Sequence, residues 1–398
     1  MSFRATSSSR SSPVDLRRDG AERLLNISSA SRAERKAQGP TRTYVVDPLS
    51  DPRWECFIRA HPRATVFHTR GWLQALKRFY GYSPVAFTTS APHEKLRNAA
   101  VFCEVQTWLT RRRLVSLPFS DHCEPLMDDP EDVQAILSHL TKDARRWRHI
   151  EMRPRTGIHR SRPLFHKSES YCLHLLDLSA DLEIIFQGMH AHCVRRKIRR
   201  ARREGVTCEH GNSAKLMREF YDLQVATRRR HGLPPQPLAW FATLAQCLGE
   251  DFTIWSARRN DTPLASMITL GFRGQMVYKY GASNAVHHSL GSVPLLMWEI
   301  IEHAKSNGYR ELDLGRSALD HKGLLRFKDH LGAQRVILDY QRYPAGLGVA
   351  SPKKLGLRMG NCCTDTGASR IGMRGSARQS PSDSAPGTSA VSAPPLLP

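Results

Sequence analysis

The chain has 398 residues, 40% of them hydrophobic, which is enough for two domains of ordinary size or one large one. Its formal net charge of +22 is typical of proteins that bind nucleic acid, membrane phosphates or phosphorylated small molecules. No run of about 18 apolar residues occurs and the N-terminus has no continuous apolar stretch, so we expect neither a transmembrane helix nor a secretory signal, and a cytoplasmic location.

The two ends of the chain differ in composition from the part between them. Residues 1–42 are rich in Ser and Arg, and residues 345–398 are rich in Ser and Pro. Neither segment has the apolar density that offsets the entropy cost of ordering, so we predict two disordered tails. The nine cysteines are scattered without the Cys/His spacing of a zinc site, and we therefore predict no metal.

The first folded half, residues 43–180, is predicted to begin with a short strand and two helices. The second helix, "TRGWLQALKRFYG", has Thr69 as its cap and ends at Gly81. The strand-like runs "PVAFTTS", "NAAVFCEVQTWL" and "RRLVSLPFS" follow. A helix, "DPEDVQAILSHLTKDARRW", and the strands "HIEMRP" and "SYCLHLLDLS" complete this half.

The second folded half, residues 181–344, repeats this order of elements. One long helix, "DLEIIFQGMHAHCVRRKIRRARREG", is predicted to end at Gly205, and a strand and two further helices come next. Three strand candidates, the helix "SVPLLMWEIIEHAKSNGY" and the strands "RELDLGRS" and "QRVILDYQRY" follow. The pattern predicts two copies of one mixed α+β plan.

A basic run lies near the start of the second half, between Arg195 and Arg203. Seven of its nine residues are Arg or Lys, while Val194, Ile198 and Ala201 share one helical face. Like charges at this density repel one another, and the run therefore favours an anionic partner.

A β-α-β unit is predicted from "QMVYKYGAS" through the loop "SNAVHHSLGS" to "ELDLG". Free N–H groups and the helix dipole at such a helix N-terminus attract anions, so the loop could cradle a diphosphate. This places candidate cofactor contacts at Ser292, Val293 and Leu295. No nucleophile-elbow, zinc-protease or phosphate-loop motif occurs in the sequence.

Residues 278–332, "YKYGASNAVHHSLGSVPLLMWEIIEHAKSNGYRELDLGRSALDHKGLLRFKDHLG", resemble the second-domain signature of the Fem-type peptidoglycan-bridge aminoacyltransferases. They are equally similar to relatives with a BioF2-like acyltransferase domain, and both groups have the GNAT fold. The resemblance extends over about residues 45–343. It implies an α+β fold of two tandem GNAT-like domains that face a shared cleft, and acyl transfer to an amine from an acyl thioester such as acyl-CoA or from aminoacyl-tRNA.

The resemblance also implies particular site residues. The family's "FK" pair matches Phe327 and Lys328, and its strand-end pattern matches Asp313 and Arg316. Lys328, Arg316 and Asp313 are therefore the candidate catalytic residues, with the two cations meeting an anionic group or a developing oxyanion. The candidate substrate-binding residues are Tyr278, Tyr280, Ser283, Asn284, Lys77, Ser120, Asp121 and Phe327.

The implied acceptor is a nucleotide-linked or lipid-linked amino sugar or peptide, a precursor of the cell envelope, peptidoglycan or exopolysaccharide. Transfer from aminoacyl-tRNA is an open alternative, although the sequence around 213–241 leaves no room for the helical arm of tRNA-dependent members. Peripheral contact with an anionic membrane also stays open. A third alternative is a non-enzymatic basic protein that binds nucleic acid, but exposed aromatic residues for base stacking are not evident.

Overall fold

In the part of the chain that the structure describes, twelve strands form one continuous mixed sheet in the order β1-β2-β3-β4-β5-β12-β6-β11-β10-β9-β8-β7. The computed structural model describes residues 41–106, 112–142, 146–156 and 165–344, so the two predicted tails lie almost entirely outside the described residues. The strands are β1 (Tyr44–Val46), β2 (Ser83–Thr88), β3 (Ala100–Val105), β4 (Arg113–Val115), β5 (His149–Met152), β6 (His166–Asp177), β7 (Val206–Gly211), β8 (Phe252–Arg259), β9 (Thr262–Phe272), β10 (Gln275–Ser283), β11 (Glu311–Ala318) and β12 (Gln334–Tyr343).

Helices cover both faces of this sheet. They are α1 (Arg53–Ala60), α2 (Arg70–Tyr80), α3 (Pro130–Lys142), α4 (Leu182–Gly188), α5 (Arg196–Arg203), α6 (Ala214–Arg230), α7 (Leu238–Leu248), α8 (Ser292–Ser306) and α9 (Lys322–His330). The predicted boundaries of α2 are confirmed, because the Thr69 hydroxyl accepts a hydrogen bond from the Trp72 N–H and Gly81 has a φ of 69°. No helix in the described part of the chain is long and apolar enough to cross a membrane.

Each half of the sheet follows the same connection pattern. In the first half, β2, β3 and β4 are antiparallel neighbours, and α3 then crosses over to β5, which is parallel to β4. In the second half, β8, β9 and β10 are antiparallel neighbours, and α8 crosses over to β11, which is parallel to β10. The common plan that the sequence predicts is therefore present in the order and direction of the strands.

The two halves exchange their last strands. β6, at the end of the predicted first half, pairs with β11, whereas β12, at the end of the second, pairs with β5. β6 and β12 also pair with each other over most of their length. The exchange joins the halves edge to edge by backbone hydrogen bonds. The domain boundary at residue 180 stays a prediction, and it falls just after a strand that lies among the strands of the second half.

The core on one face of the sheet is shared by both halves. Trp54 and Trp72 of the first half pack in one cluster with Trp240 and Phe241 of the second, and the rings of Trp72 and Trp240 lie 6.1 Å apart edge to face. The opposite face has separate cores, one beneath α3 and one beneath α5 and α8. Burial of both faces explains why the strands read as near-continuous apolar runs.

The prediction of one long helix over residues 181–205 is wrong in one respect, because the helix is interrupted between Gly188 and Ala191. α4 ends at Gly188, and Met189 has extended backbone angles. The imidazole of His190 then caps the next helical turn by accepting hydrogen bonds from the N–H groups of His192 and Cys193. This capping turns α5 toward α8, against which it packs.

Candidate active site

β10 and β11 are paired only at their beginnings. Gln275–Val277 lies opposite Glu311–Asp313, after which β10 remains paired with β9 and β11 remains paired with β6. Two strands diverge when each stays paired with its outer neighbour but they no longer pair with each other. The backbone N–H and C=O groups on their facing edges then have no hydrogen-bond partner in the sheet. A wedge-shaped gap therefore begins beyond Val277 and Asp313. We refer to it as the β10–β11 gap.

A loop of the first half, residues 116–125, places an acidic side chain at this gap. The Asp121 carboxylate lies 3.1 Å from the ammonium of Lys279 on β10 and 3.6 Å from Nε of Arg316 on β11. All three side chains are at most 5% exposed. Two cations facing one carboxylate leave this group with an excess positive charge, which favours an anionic ligand or a developing oxyanion.

Arg316 is held in a fixed position by two tyrosines. Its guanidinium carbon lies 4.0 Å from the ring centre of Tyr171 and 5.0 Å from that of Tyr340. The Tyr340 hydroxyl accepts a 2.5 Å hydrogen bond from Arg316 and donates one of 2.5 Å to the backbone carbonyl of Asp121. Burial raises the pKa of Tyr340, so its hydroxyl stays neutral and able to donate this bond.

The loop also carries His122, which was not among the predicted site residues. Its Nε2 lies 2.8 Å from Oδ2 of Asp313, and both side chains are fully buried. Burial tends to raise the pKa of Asp313, but the hydrogen bond and charge of His122 and the N–H of Gly315 outweigh it and lower that pKa. The only sequence signal was a histidine beside an acid in "SDHCEP".

Lys328 and Asp313 bind opposite sides of one glycine. The Lys328 ammonium donates hydrogen bonds to the Gly315 carbonyl at 2.8 Å and to Oγ of Ser317 at 2.9 Å. The Gly315 N–H donates to Oδ1 of Asp313 at 2.7 Å. Gly315 has a φ of 72° within a shift of register between Asp313 and Arg316, a conformation that favours glycine. The two side chains thus hold the bulge that directs Arg316.

Cys123 is not activated as a nucleophile, although His68 lies beside it. The Sγ–Nε2 distance is 3.5 Å, but Nε2 also lies 2.9 Å from the Glu124 carbonyl, to which it donates. His68 Nδ1 accepts from the Thr65 N–H, so the ring has no free lone pair for the thiol. Burial raises the pKa of Cys123 to about 12 and lowers that of His68 to about 4.

The other predicted residues do not come together in one place. Tyr278 and Tyr280 are each 1% exposed and belong to the cores on opposite faces of the sheet. Lys77 is exposed in the last turn of α2, and Phe327 packs against the core beneath α8. The Ser120 hydroxyl donates to the Leu117 carbonyl within its own loop. Of the predicted substrate residues, Asp121 is the one that lies with Arg316.

The predicted cofactor residues lie at the start of α8, beneath α5. Ser292, Val293 and Leu295 are 1%, 8% and 1% exposed. A Cβ on Gly291 would lie 2.5 Å from the Lys197 carbonyl, so only glycine permits this close packing of α5. The side chains of these three residues are thus part of the packing, and their role toward a cofactor stays a prediction.

A basic cavity opens beside this helix start. Its volume is about 350 Å³, and we refer to it as the basic cavity. Its lining comes from α5, from the turn before α5 and from the loop between β10 and α8. The lining residues are His192, Arg196, Lys197, Arg200, His288 and Ser289. Burial, Arg230 and Lys197 lower the pKa of His288, whose Nε2 lies 2.9 Å from Oγ of Ser283. The predicted residues Ser283 and Asn284 therefore lie at this cavity's loop rather than at the β10–β11 gap.

A group of His190, Cys193 and His330 lies nearby, with one potential ligand atom of each within 4.8 Å of the others. Its chemistry does not suit a cation. Nδ1 of His190 accepts hydrogen bonds from two backbone N–H groups, so the ring proton is on Nε2. Neither nitrogen of this ring then has a free lone pair for a metal ion. Burial lowers the pKa of His330, and the positive charges of Arg326 and Lys197 lower it further. The same positive charges would repel a metal ion.

Comparison with known proteins places these features in a family context. Residues 190–323 match a family described as acetyltransferase (GNAT) domain. The structure of FemX is similar over 76% of this chain and 97% of its own, with a TM-score of 0.58 and 13% identity. A conserved protein of unknown function from Bacteroides thetaiotaomicron is similar over 75% and 97%, with a TM-score of 0.54 and 14% identity.

A tandem GNAT protein from the clavulanic acid biosynthesis pathway is similar over 77% of this chain and 99% of its own, with a TM-score of 0.49 and 12% identity. No match was found among curated protein sequences. At these identities the similarity concerns the fold. The GNAT-like mixed fold of helices and sheet that the sequence predicts is confirmed.

Proposed function

We propose that this protein transfers an acyl or aminoacyl group to an amine, because residues 190–323 match a family described as acetyltransferase (GNAT) domain and the fold is similar to that of FemX. The observation that carries the proposal is the β10–β11 gap with Asp121, Lys279 and Arg316 at it. Attack of an amine on an acyl carbonyl develops negative charge on the carbonyl oxygen. Fixed cations in a site that excludes water stabilise that charge far more than water does.

Arg316 and Lys328 have separate roles in this proposal. Arg316 lies at the gap and contacts the acyl oxygen or an adjacent anionic group. Lys328 stabilises the same charge through the Gly315 carbonyl and the bulge of β11, to which it donates a hydrogen bond. Asp313 holds the other side of this bulge. The alignment of these groups before the reaction is what a preorganised site requires.

The donor we propose is acyl-CoA, with its phosphate groups in the basic cavity. Four of the six lining residues are exposed side chains of α5 or of the turn before it, and three of them are Arg196, Lys197 and Arg200. These three cations make no ion pair at 3.5 Å or less with the described residues, since the one contact of Arg200, to Glu204, is 3.8 Å long. Unneutralised cations around a concave surface favour a phosphate-bearing ligand.

The acceptor we propose is an amine of a nucleotide-linked or lipid-linked amino sugar or peptide, as in precursors of the cell envelope, peptidoglycan or exopolysaccharide. The proposal rests on the resemblance of residues 278–332 to Fem-type enzymes and on the shared fold with FemX. The cytoplasmic location that the sequence predicts belongs to the same proposal. Transient contact of the exposed basic face of α5 with an anionic membrane is compatible with it.

A second candidate is transfer from aminoacyl-tRNA, which the basic surface of α5 favours. Against it, α6 packs on β8, β9 and β10, and α7 packs on α2, so neither helix projects from the fold as an arm. The two candidates differ in their response to salt. Binding of charged tRNA will weaken steeply as salt rises, because each neutralised phosphate releases counterions.

Acyl-CoA turnover tests the first candidate. The full chain is mixed with an acyl-CoA and a panel of amino sugars and peptides, and release of the CoA thiol is followed together with the mass of the product. The double variant Arg196→Ala/Lys197→Ala should raise KM for the acyl-CoA with little change in kcat, because a phosphate is bound equally in ground and transition states. Arg203→Ala, an exposed arginine of the same helix that does not line the cavity, is the matched control. Calorimetry that detects no binding of any acyl-CoA would reject this donor.

A further inference from the structure

His122 has one ring nitrogen bonded and one without a partner. Nε2 lies 2.8 Å from the Asp313 carboxylate, which can only accept, so Nε2 carries a proton. Nδ1 is buried and has no hydrogen-bond partner among the described residues. An orphaned buried polar atom is rare in native proteins because it costs the energy of its desolvation, and it calls for a specific explanation.

The second orphaned atom of the same region is Nε of Arg316, which is buried 3.6 Å from Asp121 without a hydrogen bond to the described residues. Asp121 and His122 are neighbours in the loop. The ring of Phe67 lies beside His122 and beside Lys279, the partner of Asp121: its centre is 5.5 Å from the His122 ring centre and 5.6 Å from the Lys279 ammonium. One unpartnered acceptor and one unpartnered donor therefore lie close to the same gap.

The backbone of the loop is strained directly before these residues. Phe119 has a φ of 61°, a left-handed conformation that is unfavourable for a bulky side chain. Its ring stacks on Tyr80 at 4.6 Å and lies 5.8 Å from that of Trp240, while Asp121 and His122 contact Lys279 and Asp313 of the second half. Strain of this kind persists where the surrounding structure over-determines the conformation, and it is concentrated at functional sites.

We propose that His122 is the general base that takes the proton of the acceptor amine, and that Asp313 is its positioning residue. This inference rests on the proposed function. The amine nitrogen forms a bond to the acyl carbon while the carbon–sulfur bond to CoA breaks. The proton leaves the nitrogen for Nδ1 of His122 and is then passed to the leaving thiolate sulfur. Asp313 keeps the ring in the tautomer whose lone pair is on Nδ1, and it stabilises the imidazolium that forms.

Access to Nδ1 is part of the proposal, since the nitrogen is enclosed in this conformation. Asp313 is the last residue of β11 that pairs with β10, so its partner His122 lies where the gap begins. An amine that enters the gap past Asp121 would have to displace part of the loop 116–125 to reach Nδ1, and this displacement is part of the proposal. Among the neighbouring charged groups, Arg155 also lowers the pKa of Asp313, and the charge of His122 contributes to the lowered pKa of His68.

His122→Gln in the full chain tests the role of the base. Loss of a general base should lower kcat about 10²- to 10⁴-fold and remove the acid limb of the pH–rate profile, while KM for the acyl-CoA stays unchanged. Asp313→Asn should lower kcat as well, because it no longer fixes the tautomer. His68→Gln is the matched control: His68 is equally buried but has both nitrogens bonded, and its variant should retain the acid limb.

A spectroscopic measurement separates this inference from the proposed function. In histidine-labelled protein, ¹⁵N NMR should show one ring, absent from His122→Gln, that is protonated at Nε2 and unprotonated at Nδ1 near neutral pH. Turnover by His122→Gln at the wild-type rate with its acid limb intact would overturn the role of the base and leave the transferase function standing. Protonation of Nδ1 throughout the range from acid to alkaline pH would also overturn it. Absence of any acyl transfer by wild type, with the expected tautomer present, would reject the proposed function instead.

Discussion

Lys279 and Asp121 form a buried ion pair with 3.1 Å between Nζ and Oδ2, although 158 residues separate them in the chain. Each belongs to a different half of the fold, and Arg316 shares the same carboxylate. The pair therefore joins the packing of the two halves to the arrangement of charge at the β10–β11 gap.

Asp121→Asn should destabilise the protein strongly, because it removes the buried carboxylate that faces the charges of Lys279 and Arg316. Breaking one partner of a buried pair typically costs about 3–5 kcal/mol. The double variant Asp121→Asn/Lys279→Met should recover part of this loss, since it also removes one of the two buried cations that faced the carboxylate. Urea unfolding at neutral pH gives the free energies for the cycle. Equal stability of Asp121→Asn and wild type would show that the pair contributes nothing.

Lys328→Met should lower kcat and kcat/KM together by roughly 10²–10³, if the lysine stabilises charge that develops in the transition state. A loss of stability should accompany it, because Lys328 is 1% exposed and its ammonium donates two hydrogen bonds within the fold. Lys322→Met, on the exposed side of the same helix, is the control for helix effects. A folded Lys328→Met protein with wild-type kcat would remove this lysine from the mechanism.

The thiol of Cys123 should resist alkylation in the folded protein. Its pKa is raised to about 12 by burial, so hardly any thiolate is present at pH 8. Cys56, which is exposed, should react under the same conditions. Iodoacetamide labelling followed by peptide mass mapping compares the two, and labelling in urea verifies that Cys123 reacts once unfolded. Rapid labelling of Cys123 in the native protein would mean that His68 does activate it.

The free energy of unfolding should fall as the pH drops from about 6.5 to 4. Burial lowers the pKa of His68 to about 4, whereas in the unfolded chain it is near 6.5. In this window the unfolded state binds more protons than the folded state, so acid favours unfolding; above it the contribution of His68 is fully retained. One such group contributes on the order of 3 kcal/mol across the window. Urea titrations at several pH values should show a flatter dependence for His68→Gln, and an unchanged slope in that variant would contradict this origin.

Local patterns in the sequence predicted most helices and strands, because the contacts that begin and end these elements are made by residues close in the sequence. Thr69 and Gly81 bound a helix through their own backbone contacts, and apolar runs such as "PLASMITLGF" form strands because both faces of the sheet are covered. The pair of His122 and Asp313 could not be predicted, because 191 residues separate them and no pattern in either segment specifies the other. The break at His190 was missed for a similar reason, since capping by an imidazole leaves the helical periodicity on both sides intact.

The resemblance identified the "DLG" strand end and the "FK" pair as parts of one region, and the structure brings Asp313 and Lys328 together around Gly315. It did not indicate that Tyr278 and Tyr280 are divided between two cores. A bulge between them in the pairing of β10 with β9 decides the face on which each ring lies, and the shift of register follows from contacts rather than from composition.

The exchange of β6 and β12 has a consequence for synthesis of the chain on the ribosome. β5 is complete by Met152, but its outer neighbour is β12, whose first residue is Gln334. The sheet of the first half therefore keeps an open edge until nearly the whole folded region has been translated. Because exposed strand edges pair readily with other chains, nascent molecules of this protein will depend on chaperones during that interval, and a stop codon shortly before Gln334 will yield aggregating fragments rather than a folded half.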